Sequence, residues 1–387
     1  MAQKGEDKIL LGLQQQHDRV RWIVLWAPSS SLRMWLEPMN NFFPRLGSLS
    51  LASTTVEEMS LMVPELLQVP DLRSLSLHGI GLPKGLSLLS SMTALSTLSL
   101  THIRHSCYFP PGSLVTQLQG LPRLKELSID LSIPIPPSSE GELLPAPISP
   151  VTLPTLRQLT FHGDDIYLDN FVAQINTPLL EQLNLTLLFD LALTLVNLTA
   201  FIDRTKGFRC LVAQVIFNKG GASIDADHER GIEKLNLHVN CESLDWQIDS
   251  AVQLCKALEK VFSTIEELTI DLDMDGMPLF WEKTLDSMMW HELLLQFIGV
   301  KKLRIGSSLS VELSRALESV TLELLPELQE LRVQPKINHG TDLFSLFVKT
   351  RKSLGRPVHL VLLGRKRKGL VVCNSQTECY MLILMGT

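Results

Sequence analysis

Cysteine is sparse in this chain: six residues in 387, at positions 107, 210, 241, 255, 373 and 379, with no C-x-x-C pair. Such spacing excludes the disulfide framework of small secreted domains and offers no paired zinc ligands, so free, buried thiols are expected. Positive charge is also in deficit. Lys and Arg total 35 against 41 Asp and Glu, a formal charge of −6, whereas a nucleic-acid binder is expected to carry a basic face. No apolar run reaches the length needed to cross a bilayer. Met1–Leu13 carries Lys4, Glu6, Asp7 and Lys8 where a signal peptide would be apolar. These deficits imply an intracellular chain, in the cytoplasm or the nucleus, with neither nucleic acid nor membrane as partner. Without secretion, the sequons at Asn184 and Asn197 are chance matches.

Catalytic signatures are missing too. There is no G-x-S-x-G, no H-E-x-x-H and no Cys–His arrangement that sequence alone can bring together. The glycine-rich stretch Gly79–Gly85 fits neither G-x-G-x-x-G nor a P-loop and reads as a turn. Asp271-Leu272-Asp273-Met274-Asp275-Gly276, with Glu282 at the twelfth position, satisfies the EF-hand calcium pattern. Its context does not: a strand precedes it where an EF-hand needs a helix, and Leu279 supplies no ninth-position oxygen. It reads as an acidic strand exit. His102, His105 and Cys107 cluster without a fourth zinc ligand in view and read as a loop. A non-enzymatic chain with no cofactor and no metal is expected.

What the chain does have is a recurring L-x-x-L-x-L. Leu72/Leu75/Leu77 sets the frame, repeated at Leu46/Leu49/Leu51, Leu95/Leu98/Leu100, Leu124/Leu127/Ile129 and Leu156/Leu159/Phe161. Further copies fall at Leu180/Leu183/Leu185, Val212/Val215/Phe217, Ile232/Leu235/Leu237, Ile265/Leu268/Ile270, Val300/Leu303/Ile305 and Leu328/Leu331/Val333, with Val20/Ile23/Leu25 as the first. The last two apolar positions lie two apart and share one face of a strand, while the first fills the turn leading in. One unit cannot bury its apolar face alone, but stacked units bury a continuous core. Between strands the apolar period becomes helical, as at Met59/Met62/Val63/Leu66 after the capping-box spacing of Thr55 and Glu58. It recurs at Leu168/Phe171/Val172/Ile175, Leu195/Leu198/Phe201/Ile202, Leu254/Cys255/Leu258/Val261/Phe262 and Leu343/Phe344/Phe347/Val348. The expected fold class is α/β: a leucine-rich-repeat solenoid, a curved horseshoe with parallel strands inside and helices outside.

The expected organisation is an N-terminal segment at 1–19, the solenoid at 20–363 and a basic, irregular tail at 364–387. The tail opens on Arg365-Lys366-Arg367-Lys368. Residues 132–154 hold seven prolines and read as a surface loop between repeats. Trp22, Trp26 and Trp35 fall in the first unit, where a terminal repeat must cover an open core end.

Pro70–Gly79, Leu153–Phe161 and Asn176–Leu183 resemble the repeat region of F-box/leucine-rich-repeat proteins, most closely the large sets of mushroom-forming fungi. The resemblance covers roughly residues 20 to 363. It implies a substrate-recognition module of a cullin–RING ubiquitin ligase, whose F-box binds the ligase adaptor while the repeats bind substrate. Only 19 residues precede the first repeat and they contain no L-P-x-E opening, so the F-box is expected to be absent and the adaptor to bind only if an F-box lies upstream. The alternative is a stand-alone repeat scaffold. In each repeat the residues between the apolar positions point away from the core, onto the concave face. Small hydroxyls dominate the first half of that series and charges the second. Protein-partner contact is therefore expected at Lys234, Asn236, Glu267, Lys302, Arg304, Glu330 and Arg332.

Overall fold

A computed structural model describes residues 17–36, 43–55, 59–60, 71–81, 89, 92–103, 109–131, 149–188, 195–205, 208–228, 234–273, 287–318, 324–334 and 343–363. The chain resolves into two compact units. One comprises Met1–Leu180, Asp203–Lys206 and Tyr380–Thr387; the other comprises Glu181–Ile202 and Gly207–Cys379.

The first unit contains β1 (Trp22–Ala27), α1 (Ser29–Leu36), β2 (Ser48–Ser53), β3 (Met59–Ser60), β4 (Ser74–His78), β5 (Ile80–Gly81) and β6 (Thr97–Thr101). It continues with α2 (Pro111–Leu118), β7 (Glu126–Asp130), β8 (Val151–Thr152), β9 (Gln158–Gly163), α3 (Asp165–Ala173) and β10 (Ile175–Asn176). Strands β1-β2-β4-β6-β7-β9 form a parallel sheet in that order. Its register is the one the repeat implies. Leu49, Leu75, Leu98, Leu127 and Leu159 lie opposite one another, and so do Leu51, Leu77, Leu100, Ile129 and Phe161. Each of these ten is at most 1% exposed. A row of like side chains, one per strand, packs at the strand spacing and leaves no gap. The leading leucines are buried as well. Their peptides close the entry turns, Leu95 N–H donating to the Met92 carbonyl and Leu124 N–H to that of Leu121. Val20 and Leu25 of the first copy are only half-buried, because β1 has a neighbouring strand on one side alone.

Two expectations are corrected here. The helix expected from Met59 is displaced at its start by β3, which pairs with β5; the rest of that expectation lies outside the described residues. Within the proline-rich loop, Val151–Thr152 is a strand paired in parallel with β10. The helix on Leu168, Phe171 and Val172 forms as α3, with all three fully buried. It begins earlier than the apolar period implies, because Asp164 caps it: Tyr167 N–H donates to Asp164 Oδ1 at 3.0 Å. Asp164→Ala should remove about 1 kcal/mol and lower Tm by a few degrees, while Asp164→Asn keeps an acceptor and should melt like the parent. Equal melting of all three in a calorimeter would show the cap to be redundant.

The second unit contains β11 (Gln182–Leu188), α4 (Val196–Arg204) except for its last two residues, β12 (Val212–Asn218), β13 (Gly221–Asp227), β14 (Lys234–Asn240), α5 (Leu244–Ala257) and α6 (Glu259–Phe262). It goes on through β15 (Glu267–Leu272), α7 (Ser287–Leu294), β16 (Lys302–Ile305), α8 (Ser310–Glu318), β17 (Glu330–Val333), α9 (Ser345–Ser353) and β18 (His359–Leu362). Strand order is β11-β14-β13-β12-β15-β16-β17-β18. This departs from a simple repeat. β12 and β13 form a hairpin, and β13 pairs antiparallel with β14 as well. β11 therefore pairs with β14 and β12 with β15, both in parallel.

The frame at β12 is also shifted. Register places Ala213 opposite Leu268 and Val215 opposite Ile270. Extending that offset to Ile265 makes the apolar triple Cys210/Ala213/Val215 rather than Val212/Val215/Phe217; Val212 is half-buried, and Phe217 lies one step further along the same inward face. The Ile232 position lies outside the described residues. Aromatics fill this core: Trp290 stands edge-on to Phe217 at 5.4 Å, and Phe262 to Phe297 at 5.7 Å. Cys210, Cys241 and Cys255 are free and buried. Burial raises the Cys241 thiol to about 11 and pushes Cys255 up as well, which keeps both protonated and unreactive at neutral pH. Cys107, Cys373 and Cys379 lie outside the described residues.

Candidate protein-binding face

On each parallel strand the side chains that do not face the core stand on the open face of the sheet. In the second unit the three strands β15, β16 and β17 put Glu267, Lys302 and Glu330 in one row and Thr269, Arg304 and Arg332 in the next. The rows are charged and mutually constrained. Lys302 Nζ donates to Glu267 Oε1, and Arg332 Nε donates to Glu330 Oε1 on its own strand. The Glu267 hydrogen bond raises the Lys302 ammonium above its usual range, and the Arg332 hydrogen bond lowers the Glu330 carboxyl. Behind them Lys301 pairs with Glu266 at 2.7 Å.

Arg304 differs from its neighbours. It is exposed, flanked in register by Thr269 and Arg332, and has no ion-pair partner among the described residues. Its planar fork of five donors is the group on this face best suited to a carboxylate of a partner.

The structure does not bring all seven expected residues together. Lys234 and Asn236 lie on β14, separated from Glu267 by β13 and β12. That is three strand spacings, roughly 14 Å. Across the gap Lys234 faces Asp227 and Asn236 faces Asp225. Asn236 Nδ2 is already engaged, donating to Asn184 Oδ1 at 2.6 Å. Burial raises the Asp225 carboxyl, against an opposing effect of His238.

The first unit's open face is different in kind. Ser48, Ser50, Ser74, Ser76, Thr97 and Ser99 form two rows of small hydroxyls. At one side Trp22, Val24 and Trp26 of β1 stand on the same face, 76%, 66% and 62% exposed, so these two tryptophans are not core covers. At the strand ends the register collects four residues, of which only His102 was singled out in the sequence, and there beside His105 and Cys107 rather than with these partners. His78 ends β4, Asp130 ends β7 beside His162 of β9, and His102 follows β6. Asp130 takes both flanking imidazoles: Oδ2 lies 3.2 Å from His102 Nδ1 and Oδ1 lies 3.2 Å from His162 Nδ1. The His78 and His102 rings are 4.2 Å apart, and His78 Nδ1 is 3.0 Å from Thr101 Oγ1. His102 holds φ at 54°, a left-handed value uncommon outside glycine. The signal was present in the sequence as residues one past the last apolar position of three repeats, His78, Asp130 and His162, and two past it in the fourth, His102. Among the described residues no three His, Cys, Asp or Glu side chains are placed to hold a metal ion. Of the acidic calcium-like stretch, Asp271 and Leu272 end β15, Asp271 Oδ1 accepts from Leu272 N–H at 2.9 Å, and residues 274–282 lie outside the described residues.

The imidazole row predicts a pH response. Burial, followed by the neighbouring His102, lowers the His78 pKa, while Asp130 opposes them. A histidine depressed in the folded state binds fewer protons there than in the unfolded chain, so stability is complete above about 6.5 and falls as pH drops below it. Melting temperatures recorded from pH 7.5 to 5 should decline, and His78→Asn should flatten that decline. An identical slope in the variant would assign the response to other groups.

No protein-family model matches the chain, and no curated protein matches it. Among solved structures, the crystal structure of an internalin from Listeria monocytogenes is 13% identical, over 85% of this chain and 84% of that one, with a TM-score of 0.26. At that score the likeness carries no argument. The leucine-rich character rests on the repeat spacing and on the parallel register it produces. No helix among the described residues is long and apolar enough to cross a membrane.

Proposed function

We propose that this chain is a non-enzymatic protein-binding repeat domain whose partner docks on the open face of β15, β16 and β17, with Arg304 as the anchoring cation. The observation that supports this reading is the charge arrangement there. Glu267, Lys302, Glu330 and Arg332 hold one another in a fixed pattern, while Arg304 is left uncommitted beside them. A preset pattern of charge favours one docking orientation and penalises others. The proposed partner chemistry is an acidic protein segment. A photo-crosslinking residue at Thr269 should capture it, whereas one at Leu346 on α9, exposed but outside the sheet, should not. Capture from Leu346 alone would overturn the reading.

Within that reading, the resemblance noted above supports the substrate-recognition part of an F-box ubiquitin-ligase receptor, with residues 20–363 as the recognition array, in the cytoplasm or nucleus. The runner-up is a repeat scaffold with no ubiquitin link. What separates the two is whether cullin-ligase adaptor co-purifies with a product of the same gene that carries an F-box upstream of residue 1. With residues 1–387 alone, the pull-down of purified adaptor is expected to be empty under both readings, because no L-P-x-E motif occurs within residues 1–19. A stoichiometric complex would place a divergent F-box within residues 1–40.

A further inference from the structure

We propose that the chain self-associates through β1, two copies pairing antiparallel about Val24 so that the sheet of one continues into the sheet of the other. β1 ends its sheet and, among the described residues, pairs with β2 alone. The direction of its peptide groups follows from the bonds to β2. The Arg21 carbonyl accepts from Gly47 and Ser48 N–H, and the Ala27 carbonyl accepts from Thr54 N–H. In a parallel pair alternate residues turn to the same neighbour, so odd-numbered residues face β2. The N–H and C=O groups of Trp22, Val24 and Trp26 then point to the open edge.

The strand's own sequence carries none of the usual protections of such an edge, and no other strand pairs with it there among the described residues. Trp22-Ile23-Val24-Leu25-Trp26-Ala27 carries no charge, no proline and six residues of extended backbone. Long apolar edges of this kind are templates for pairing with another chain. What singles out a second copy as occupant is the order of the residues, which is symmetric in kind about Val24: Trp22 and Trp26 flank it two residues away on either side, and the β-branched Ile23 is matched by the similarly sized Leu25. A two-fold axis at Val24 sets Trp22 against the second copy's Trp26, Val24 against Val24, and Trp26 against Trp22, all on the open face where these side chains are exposed. Ile23 meets Leu25 on the opposite face. The pairs on the open face are also the ones whose peptide groups point away from β2, so the hydrogen bonds and the aromatic pairs coincide. Charge agrees with the antiparallel sense. Arg21 lies opposite Ala27 of the second copy, which keeps the two Arg21 side chains about 20 Å apart, six residues at 3.3 Å each, whereas parallel pairing would set them side by side.

The test uses the full chain. Sedimentation equilibrium should show a monomer–dimer exchange, and Val24→Lys should be monomeric with an unchanged circular dichroism spectrum. Register is read separately by cysteine. Across a hydrogen-bonded antiparallel pair the Cα atoms are about 5.5 Å apart, within the span of a disulfide. Val24→Cys should therefore give a disulfide-linked dimer on mild oxidation. Trp22→Cys and Trp26→Cys should each stay unlinked alone and link to one another when mixed. A parent chain that is monomeric at every concentration overturns the proposal, whether the edge then takes residues 1–16 or a different protein. So does a dimer that survives Val24→Lys, or one in which Trp22→Cys links to itself. If Val24→Lys fails to fold, the cysteine series alone decides.

Discussion

Gly221→Ala should unfold the second unit at temperatures where the parent is fully native. Gly221 opens β13 with φ at 150°, and a Cβ there would lie 1.9 Å from the Val239 carbonyl oxygen and 2.9 Å from its carbon. Both obstacles are backbone, fixed by the β13–β14 pairing in which Gly221 lies opposite Asn240. Relief requires breaking that pairing or moving β14. Strained φ and overpacking each cost about 1–3 kcal/mol, so a loss on the order of 4 kcal/mol is expected, a large share of a typical domain's stability. Gly220 is the control. It precedes Gly221 in the same turn, its N–H is held by Asn218 Oδ1 at 2.8 Å, and an added Cβ would meet that side-chain oxygen at an ordinary 3.4 Å. Gly220→Ala should fall within about 1 kcal/mol of the parent. Denaturant melts followed by the blue-edge tryptophan emission, to which the fully buried Trp290 of this unit's core contributes alongside the chain's five other tryptophans, compare the two. Similar midpoints for both variants would mean that β13 is not held against β14 as described.

The largest effect on binding is expected at Arg304. Arg304→Glu should weaken capture of the partner by about 30-fold or more, the roughly 2 kcal/mol that marks an interface hot spot. Melting should change little, because the Arg304 side chain is exposed and pairs with no acid among the described residues. Lys302→Gln and Arg332→Gln should weaken binding by less than about tenfold, since the energy of each cation is partly engaged with Glu267 or Glu330. Titration of the three variants against the crosslinked partner, once isolated, measures the order. Should Arg304→Glu bind like the parent while Lys302→Gln does not, the uncommitted-cation argument is wrong. If the triple reversal of Lys302, Arg304 and Arg332 to glutamate also binds normally, the contact is not on this face.

The sequence by itself determined the repeat and most of its register. Leu75 and Leu77 are buried because a strand has period two and its neighbours carry leucine at the same offsets, so the pattern needs no long-range information. It also determined which residues stand on the open face, since alternation assigns Lys302 and Arg304 there once Leu303 is inside. Strand order in the second unit was decided by a turn. Val215 and Phe217 both face the core, so the apolar pattern at 212–217 passes for one more parallel repeat. Asn218-Lys219-Gly220-Gly221 returns the chain through two residues, and so short a loop can only make an antiparallel neighbour. That hairpin is what separates Lys234 and Asn236 from Glu267. The glycines were the legible sign, but nothing local says which of two apolar segments the returning strand will adopt. Only the tertiary structure assembled His78, His102, Asp130 and His162, because proximity there comes from successive strands ending side by side, with His102 one residue beyond the position that matches His78, and not from nearness along the chain. It alone made β1 an edge as well: a strand's two faces are written in its alternation, whereas the occupancy of its two sides depends on which other strands arrive.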